Sequence, residues 1–500
     1  MKKIKSLLIA FAGISVATLP IVAGACNGDK TAGTTTGGTT TPGTTTGGTT
    51  TGGTTTGGTT TGGTTTPGTT TPGTTTPGTT TGTTGKQAKY IAPENRVTKG
   101  VIKLNDQLAD KIKNLKSIPS IAFVTESGGI LDQSFNQSGW EGLLDLSDQF
   151  KAAGKTLIAK PIEPAVGNSL VDQYNSLLDS KTQIWILSGY AHGDYLPDFI
   201  NQNSARLIAN NVKIIGLDYA IKPEQIKVPF KDLYTITYKV QGPSYVVGQA
   251  IADYLNKYST KNKTTTTFGG GDYDGVTAFM NGYVKGIYSY DKAHADAKIK
   301  VLTSGSNGKL EIDSGFESDP KMNSAITQAV ATKAKVILPV AGTATAILKT
   351  QLEQSNAEGT VIIGVDADQS KAFPSAQGLF ITSITKNLGQ SVYDSLLYTI
   401  FGLNNSTKTF NASATTVQTL SGTLENNWVG YAQSTLSNKE QRDYVNQQLA
   451  AYKSQLLSAD KTTKDYVYTD STMPGQAAQP NVNGVNVADA VVKLINALAK

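Results

Sequence analysis

The sequence predicts a protein of the α/β class, with two doubly wound, Rossmann-like lobes joined by a hinge. Between about 116 and 405, short apolar segments of strand type alternate with longer amphipathic segments of helical type. Strands that alternate with helices are typical of parallel sheets covered by helices on both faces. About ten strands are predicted, which fits two open sheets better than one.

The predicted strands are short runs rich in aliphatic and β-branched residues. They cover 121–124, 156–160, 184–187, 212–217, 233–240, 264–268, 299–303, 336–339, 361–365 and 379–384. The predicted helices between them cover 136–153, 168–179, 196–209, 244–258, 276–290, 321–333, 344–355 and 387–401. Two more helices are predicted at 437–457 and 487–498, and the last is apolar on one face, as expected of a helix that packs onto a lobe.

The first 26 residues have the pattern of an export leader. Three lysines within the first five positions precede an apolar run that ends in small residues directly before Cys26, the single cysteine of the chain. Ala23-Gly24-Ala25-Cys26 is similar to a bacterial lipobox, which implies cleavage before Cys26 and lipid attachment there. An uncleaved membrane anchor is the alternative. Both place the protein on the outer face of the bacterial cytoplasmic membrane.

Residues 27–115 are predicted to be a disordered tether and lead-in. Residues 31–85 are nearly pure Thr, Gly and Pro, so almost nothing there can be buried to offset the entropy lost on ordering. The remaining division follows the strand pattern. It places the N-terminal lobe at 116–240 plus 380–432, the C-terminal lobe at 241–379 and a helical extension at 433–500.

Composition argues against several classes of function. The formal net charge is +6, and no basic run with interleaved aromatic residues suggests nucleic acid binding. One Cys and two distant His residues have no zinc-site spacing, and no Gly-x-Ser-x-Gly motif accompanies them. We therefore expect no catalytic residues, no metal and no cofactor.

The most informative stretch is 127–142, between the first predicted strand and the first long helix. Ser134 and Gln137 have the spacing of a capping box, which predicts that the helix begins there. Asp132, Phe135 and Asn136 then lie at the carboxyl end of a β-strand, where open α/β sheets bind ligands. An aromatic ring beside an amide and a carboxylate suits a flat polar ligand such as a nucleobase.

Later strand ends repeat this arrangement of polar and aromatic residues. The residues singled out are Asp194, Phe279, Gly342, Asp366 and Lys386. Each alone has an ordinary explanation, such as a helix cap, a core ring, a turn or a solvated charge. Their joint placement at successive strand ends favours one shared site.

The stretch 128–142 closely resembles the signature of the basic membrane protein family, and the resemblance continues in consistent order over about 117–432. It includes Phe279-Met280-Asn281-Gly282-Tyr283, Ile363-Gly364-Val365-Asp366-Ala367-Asp368-Gln369 and Thr382-Ser383-Ile384-Thr385-Lys386-Asn387. An insertion near 291–320 and the chain beyond 432 have no counterpart in this resemblance. These family members are bacterial lipoproteins that resemble type I periplasmic binding proteins and serve ABC transporters as purine-nucleoside receptors.

The resemblance implies a role for each matching residue. Phe135 and Phe279 would sandwich the purine, and Asn136 and Asp194 would hydrogen-bond its polar edge. Asp366 would accept from two ribose hydroxyls, while Lys386 and the backbone at Gly342 complete the sugar pocket.

The function expected from these observations is that of a lipid-anchored, monomeric receptor. It would capture nucleosides in an inter-lobe cleft by hinge closure near 239–243 and 379–385, and deliver them to an ABC permease. Three alternatives remain open: an adhesion or antigen lipoprotein that keeps the fold without transport, a nucleoside-cleaving enzyme, and a sugar receptor.

Overall fold

The computed structural model describes residues 89–165, 169–355, 359–470 and 487–499, all within a unit that runs from Thr83 to Lys500. Cys26, its leader and the Thr-rich repeats lie outside the described residues. In the part of the chain that is described, no helix is long and apolar enough to cross a membrane.

The described residues form twelve strands and thirteen α-helices. The strands are β1 (Ser120–Thr125), β2 (Ile158–Ile162), β3 (Ile184–Ser188), β4 (Lys213–Leu217), β5 (Leu233–Tyr238), β6 (Thr264–Gly269), β7 (Lys300–Leu302), β8 (Val336–Val340), β9 (Val361–Asp366), β10 (Phe380–Lys386), β11 (Gln418–Gly422) and β12 (Val429–Tyr431). The helices are α1 (Leu108–Lys113), α2 (Phe135–Ala152), α3 (Leu170–Asp179), α4 (His192–Ala209), α5 (Gln241–Tyr258), α6 (Asp274–Ala293), α7 (Pro320–Ala331), α8 (Ala344–Gln354), α9 (Gln369–Ala372), α10 (Leu388–Phe401), α11 (Lys439–Ser458), α12 (Lys461–Tyr468) and α13 (Val487–Leu498).

Two six-stranded sheets form the framework and confirm the predicted fold class. The first sheet has the strand order β11-β5-β4-β3-β1-β2, and the second has the order β12-β10-β9-β8-β6-β7. Neighbouring strands are parallel except for the antiparallel pair of β10 and β12. Central strands such as β3 and β8 are buried along their whole length, as expected of sheets with helices on both faces.

The strand Phe380–Lys386 was predicted in the N-terminal lobe, and this placement is wrong. β10 pairs in parallel with β9 and so belongs to the second sheet. The chain returns to the first sheet only after Lys386, where α10 packs on α2. It crosses a third time between β11 and β12. Three connections therefore join the two lobes, and the first, between β5 and α5, coincides with the segment predicted as a hinge.

The lead-in just before the first sheet is folded, which corrects the prediction of a disordered segment for residues 89–115. The backbone N–H groups of Val97 and Thr98 donate to the Glu141 carboxylate at 3.1 and 2.8 Å. Leu108 and Ile112 are fully buried against the first lobe. Apolar residues at helical spacing give this stretch something to bury, which the Thr-rich repeats lack.

The C-terminal extension packs on the second lobe. Helix α11 lies against α5, and α13 lies against α6, as predicted for an apolar-faced last helix. Asp253 accepts hydrogen bonds from the hydroxyls of Tyr290, Tyr444 and Tyr452 and thereby joins α5, α6 and α11.

Candidate functional site

A cavity lies between the carboxyl ends of the two sheets, where loops from both lobes meet. Its empty volume is about 860 Å³ with the open mouth included. Most of the residues predicted from the sequence lie around it. They are Asp132, Phe135, Asn136, Phe279, Gly342, Asp366 and Lys386.

Asp132 caps helix α2. Its Oδ1 accepts from the backbone N–H groups of Ser134 and Gln137 at 2.9 and 3.0 Å, and its Oδ2 accepts from that of Asn136 at 2.9 Å. Burial raises the pKa of Asp132 against the opposing effect of these donors. The predicted capping box of Ser134 and Gln137 is therefore wrong, because Asp132 satisfies the free N–H groups of the helix start.

The Asn136 side chain joins two loops of the first lobe. Its Oδ1 accepts from Ser188 Oγ, and its Nδ2 donates to the Ser127 carbonyl, both at 3.0 Å. These bonds link the loop after β1 to the end of β3. In this arrangement the amide of Asn136 is engaged within the protein at the wall of the cavity.

Asp218, Asp366 and Lys386 form a buried charged group at the floor. Lys386 Nζ donates to Asp218 Oδ2 at 2.7 Å and lies 4.0 Å from Asp366 Oδ1. Burial raises the pKa of Asp366 to about 6, although the nearby Lys386 charge opposes this shift. Asp218 directly follows β4, and Asp366 is the last residue of β9. Both have a left-handed backbone, with φ 74° at Asp218 and 63° at Asp366, a costly conformation that often marks functional positions.

Two phenylalanine rings from opposite lobes border this charged group. Phe135 begins α2 beside the first sheet, and Phe279 lies on α6 beside the second. The Lys386 ammonium lies 5.4 Å from the centroid of the Phe135 ring and 5.1 Å from that of Phe279. The cavity therefore offers aromatic faces, a cation and carboxylates within a small volume.

The two lobes touch across the cavity. Ser134 Oγ lies 3.2 Å from both the Val365 carbonyl and Asp366 Oδ2. Gly342 lies beside this contact, and a Cβ atom there would be in ordinary van der Waals contact with the Cβ atom of Ser134, at 3.5 Å. These contacts describe a closed cleft.

Asp194 does not line the cavity, which corrects its predicted place in the site. Helix α4 begins at His192, so Asp194 lies in the first turn and is exposed. Glu126 supplies the acidic group on this side instead. It directly follows β1 and lines the cavity, and its carboxylate accepts from the Ala191 N–H. Burial raises the pKa of Glu126 to about 7.

The site residues predicted from the sequence do not include Glu126 and Asp218. Asp218 directly follows the predicted strand 212–217, and Glu126 lies two residues after the predicted strand 121–124. Their position near strand ends was the available signal. The aromatic residues Tyr190, Tyr273 and Phe316 were also missed, and they line the cavity toward its mouth. Among the described residues, no group of three or more His, Cys, Asp or Glu side chains is arranged to hold a metal ion.

Comparison with known proteins agrees with this architecture. Residues 118–418 match the model of the Bmp family, described as "ABC transporter substrate-binding protein PnrA-like". The chain is 26% identical over 267 residues to basic membrane protein B of Borrelia garinii subsp. bavariensis, covering 53% of this chain and 69% of the relative. It is also 26% identical over 190 residues to the ABC transporter nucleoside-binding protein BmpA of Lactococcus lactis subsp. cremoris, covering 37% of this chain and 47% of the relative.

A solved structure shares the fold. The solute-binding protein of an ABC transporter system from Aeropyrum pernix K1 superposes with a TM-score of 0.52 at 16% identity, covering 76% of this chain and 98% of that one. The matched family is one of solute-binding proteins rather than enzymes, and substrate-binding proteins of ABC transporters are extracytoplasmic. Because the family model covers more than half of the chain and the sheets have the matching architecture, this protein belongs to the Bmp family of PnrA-like ABC transporter substrate-binding proteins.

Proposed function

We propose that this protein captures nucleosides, preferably purine nucleosides, for an ABC importer. The observation that carries the proposal is the meeting of Phe135 and Phe279, from opposite lobes, beside Asp366 and Lys386. Base stacking on an aromatic ring contributes about 1–3 kcal/mol, and a carboxylate is a strong acceptor for two sugar hydroxyls. The printed name of the Lactococcus relative, a nucleoside-binding protein, supports the same ligand class.

In this proposal Phe135 and Phe279 sandwich the base, and Asp366 accepts from the ribose hydroxyls. Lys386 and the Gly342 backbone complete the sugar pocket. Glu126 takes the role predicted for Asp194, as an acceptor at the polar edge of the base. Asn136 then acts mainly by bracing the loops around the base, because both polar atoms of its amide are bonded within the protein.

Capture proceeds by closure of two lobes about three connections. Among the described residues, the first lobe comprises 89–165, 169–240 and 388–422. The second lobe comprises 241–355, 359–386, 429–470 and 487–499. A nucleoside bound to one lobe gains contacts from the other only when the cleft is closed, so binding shifts the population toward that state.

The proposed location is the outer face of the cytoplasmic membrane, with the monomeric receptor held through lipid on Cys26. The Thr-rich tether would give a root-mean-square reach of about 40 Å toward the permease. Metabolic labelling with a fatty acid tests the anchor. Cys26→Ser is expected to abolish labelling, whereas unchanged labelling of the variant would contradict lipid attachment to Cys26.

Calorimetric titration of the full chain, refolded to strip carried-over ligand, tests the ligand class. Adenosine, guanosine, inosine, uridine and ribose are titrated separately. We expect tight binding of at least one purine nucleoside and no heat from ribose. If a folded sample gives no binding heat with any of the five ligands, the receptor function is contradicted and the adhesion alternative is favoured. Binding of ribose alone would favour a sugar receptor.

A further inference from the structure

The segment 303–319 connects β7 to α7 and falls in the insertion that has no counterpart in the family resemblance. We propose that Phe316 and Glu317 in this segment form a lid over the cavity and slow the release of its ligand. The proposal rests on the nucleoside function above and adds a closing element to it.

The lid segment is fixed to the second lobe by backbone hydrogen bonds. The N–H groups of Ser314 and Gly315 donate to the carbonyls of Gly269 and Gly270 at 3.1 and 3.0 Å. Thr343 Oγ1 donates to the Phe316 carbonyl at 2.7 Å. These bonds join the segment to the end of β6 and to the loop after β8. Phe316 and Glu317 therefore move with the second lobe.

The Phe316 ring forms part of the cavity wall and packs directly on Gly270, where any side chain would collide with it. Tyr273 stacks on Phe316 with centroids 6.3 Å apart and an interplanar angle of 29°. Tyr190, from the first lobe, lies 5.5 Å from the ring of Tyr273. The three rings thus form a row across the mouth, from the lid to the opposite lobe.

Glu317 closes this row with a hydrogen bond between the lobes. Its Oε1 accepts from the backbone N–H of Gly128 at 3.1 Å. Gly128 has φ +66°, a conformation that suits glycine and presents the N–H at this turn. Because Gly128 belongs to the first lobe and Glu317 to the second, opening of the cleft must break this bond. Its main kinetic effect is therefore expected on dissociation rather than association.

Stopped-flow measurements with the full chain and a purine nucleoside test the lid. Glu317→Ala is expected to raise the dissociation rate about 2- to 10-fold, the effect of one hydrogen bond, with little change in the association rate. Glu317→Gln retains an acceptor oxygen and is expected to behave as the wild type. Asp313→Ala is the matched control, because Asp313 lies in the same segment and pairs with Lys321. Phe316→Leu keeps apolar bulk without the ring and is expected to raise the dissociation rate as well.

Hydrogen exchange at the Gly128 amide tests the same bond without ligand. Faster exchange in Glu317→Ala than in the wild type or Asp313→Ala would support the lid. Unchanged exchange together with unchanged dissociation rates would overturn it. If the wild type binds none of the nucleosides, the proposed function fails on that result alone, and exchange at Gly128 then decides whether the lid forms.

Discussion

At the scale of single residues, Asp366 is the acceptor on which the proposed sugar contact depends. Asp366→Asn keeps the shape and tolerates the left-handed backbone, but it removes the charge that strengthens two hydroxyl bonds. We expect nucleoside binding to weaken by at least about 2 kcal/mol, measured by calorimetry. Asp368→Asn is the control, because Asp368 lies outside the cavity and contacts Lys371 and Ser370. If the two variants bind the nucleoside with equal affinity, Asp366 does not contribute to the binding site.

Glu126 gives the site a dependence on pH. Its pKa is about 7 in the folded protein, against an ordinary value of 4.5. Between these values the folded protein holds a proton that the unfolded chain has released, so rising pH favours unfolding. The contribution of this group to the unfolding free energy is expected to fall by up to about 3 kcal/mol across that window.

Urea unfolding at about pH 5 and about pH 8 checks this expectation. Glu126→Gln cannot ionise, so its stability relative to the wild type should be greater at the higher pH than at the lower. Glu94→Gln serves as a control, because Glu94 is exposed and remote from the cavity lining. If the unfolding free energy of Glu126→Gln depends on pH in the same way as that of the wild type, the dependence arises from other groups.

Site residues could be predicted from the sequence where they lie close to the end of a correctly predicted strand. Phe279, Asp366 and Lys386 follow apolar strands or lie on the next helix, so the strand pattern alone brings them to one edge. The prediction for Asp194 was wrong because α4 starts two residues before it, and Asp194 is exposed in the first turn of that helix. Strand periodicity locates a loop but does not say which of its residues faces the ligand, and Glu126 was missed for that reason.

At the scale of elements, helix α12 is held by a buried lysine. Lys285 on α6 is fully buried, and its Nζ donates to the carbonyls of Tyr466 and Thr469 at 2.6 and 2.8 Å. Lys285→Met keeps the length of the side chain and removes both bonds. We expect faster chymotrypsin cleavage within α12, because local opening becomes easier by about 1.5–3 kcal/mol.

The control for that experiment is Lys464→Met. Lys464 donates to one carbonyl, that of Leu457, at 2.8 Å, in a hydrogen bond that is exposed to solvent. Its loss should change cleavage little, since water can replace an exposed donor. Equal cleavage of both variants and the wild type would show that α12 is held by its apolar contacts instead.

The two strands that sequence analysis missed, β11 and β12, are elements with weak local signals. β11 is the polar run Gln418–Gly422, and β12 has only three residues. Each exists because a distant strand offers a free edge, β5 for the first and β10 for the second. Such pairing is decided by tertiary context, which explains why the lobe boundaries were harder to predict than the central strands.

For the whole molecule, the proposed site predicts how a ligand changes stability. Phe135 belongs to the first lobe, whereas Phe279 and Asp366 belong to the second, so a bound nucleoside contacts both. At a free concentration of about 100 times Kd, binding should stabilise the folded protein by about 2.7 kcal/mol. Calorimetric melting should show an upward shift that includes both lobes, and ribose should give a smaller shift or none. If the lobes melt separately and the nucleoside moves only one transition, the ligand is held by one lobe alone. Ligand-driven closure of the cleft would then be contradicted, because a ligand without contacts to both lobes cannot favour the closed state.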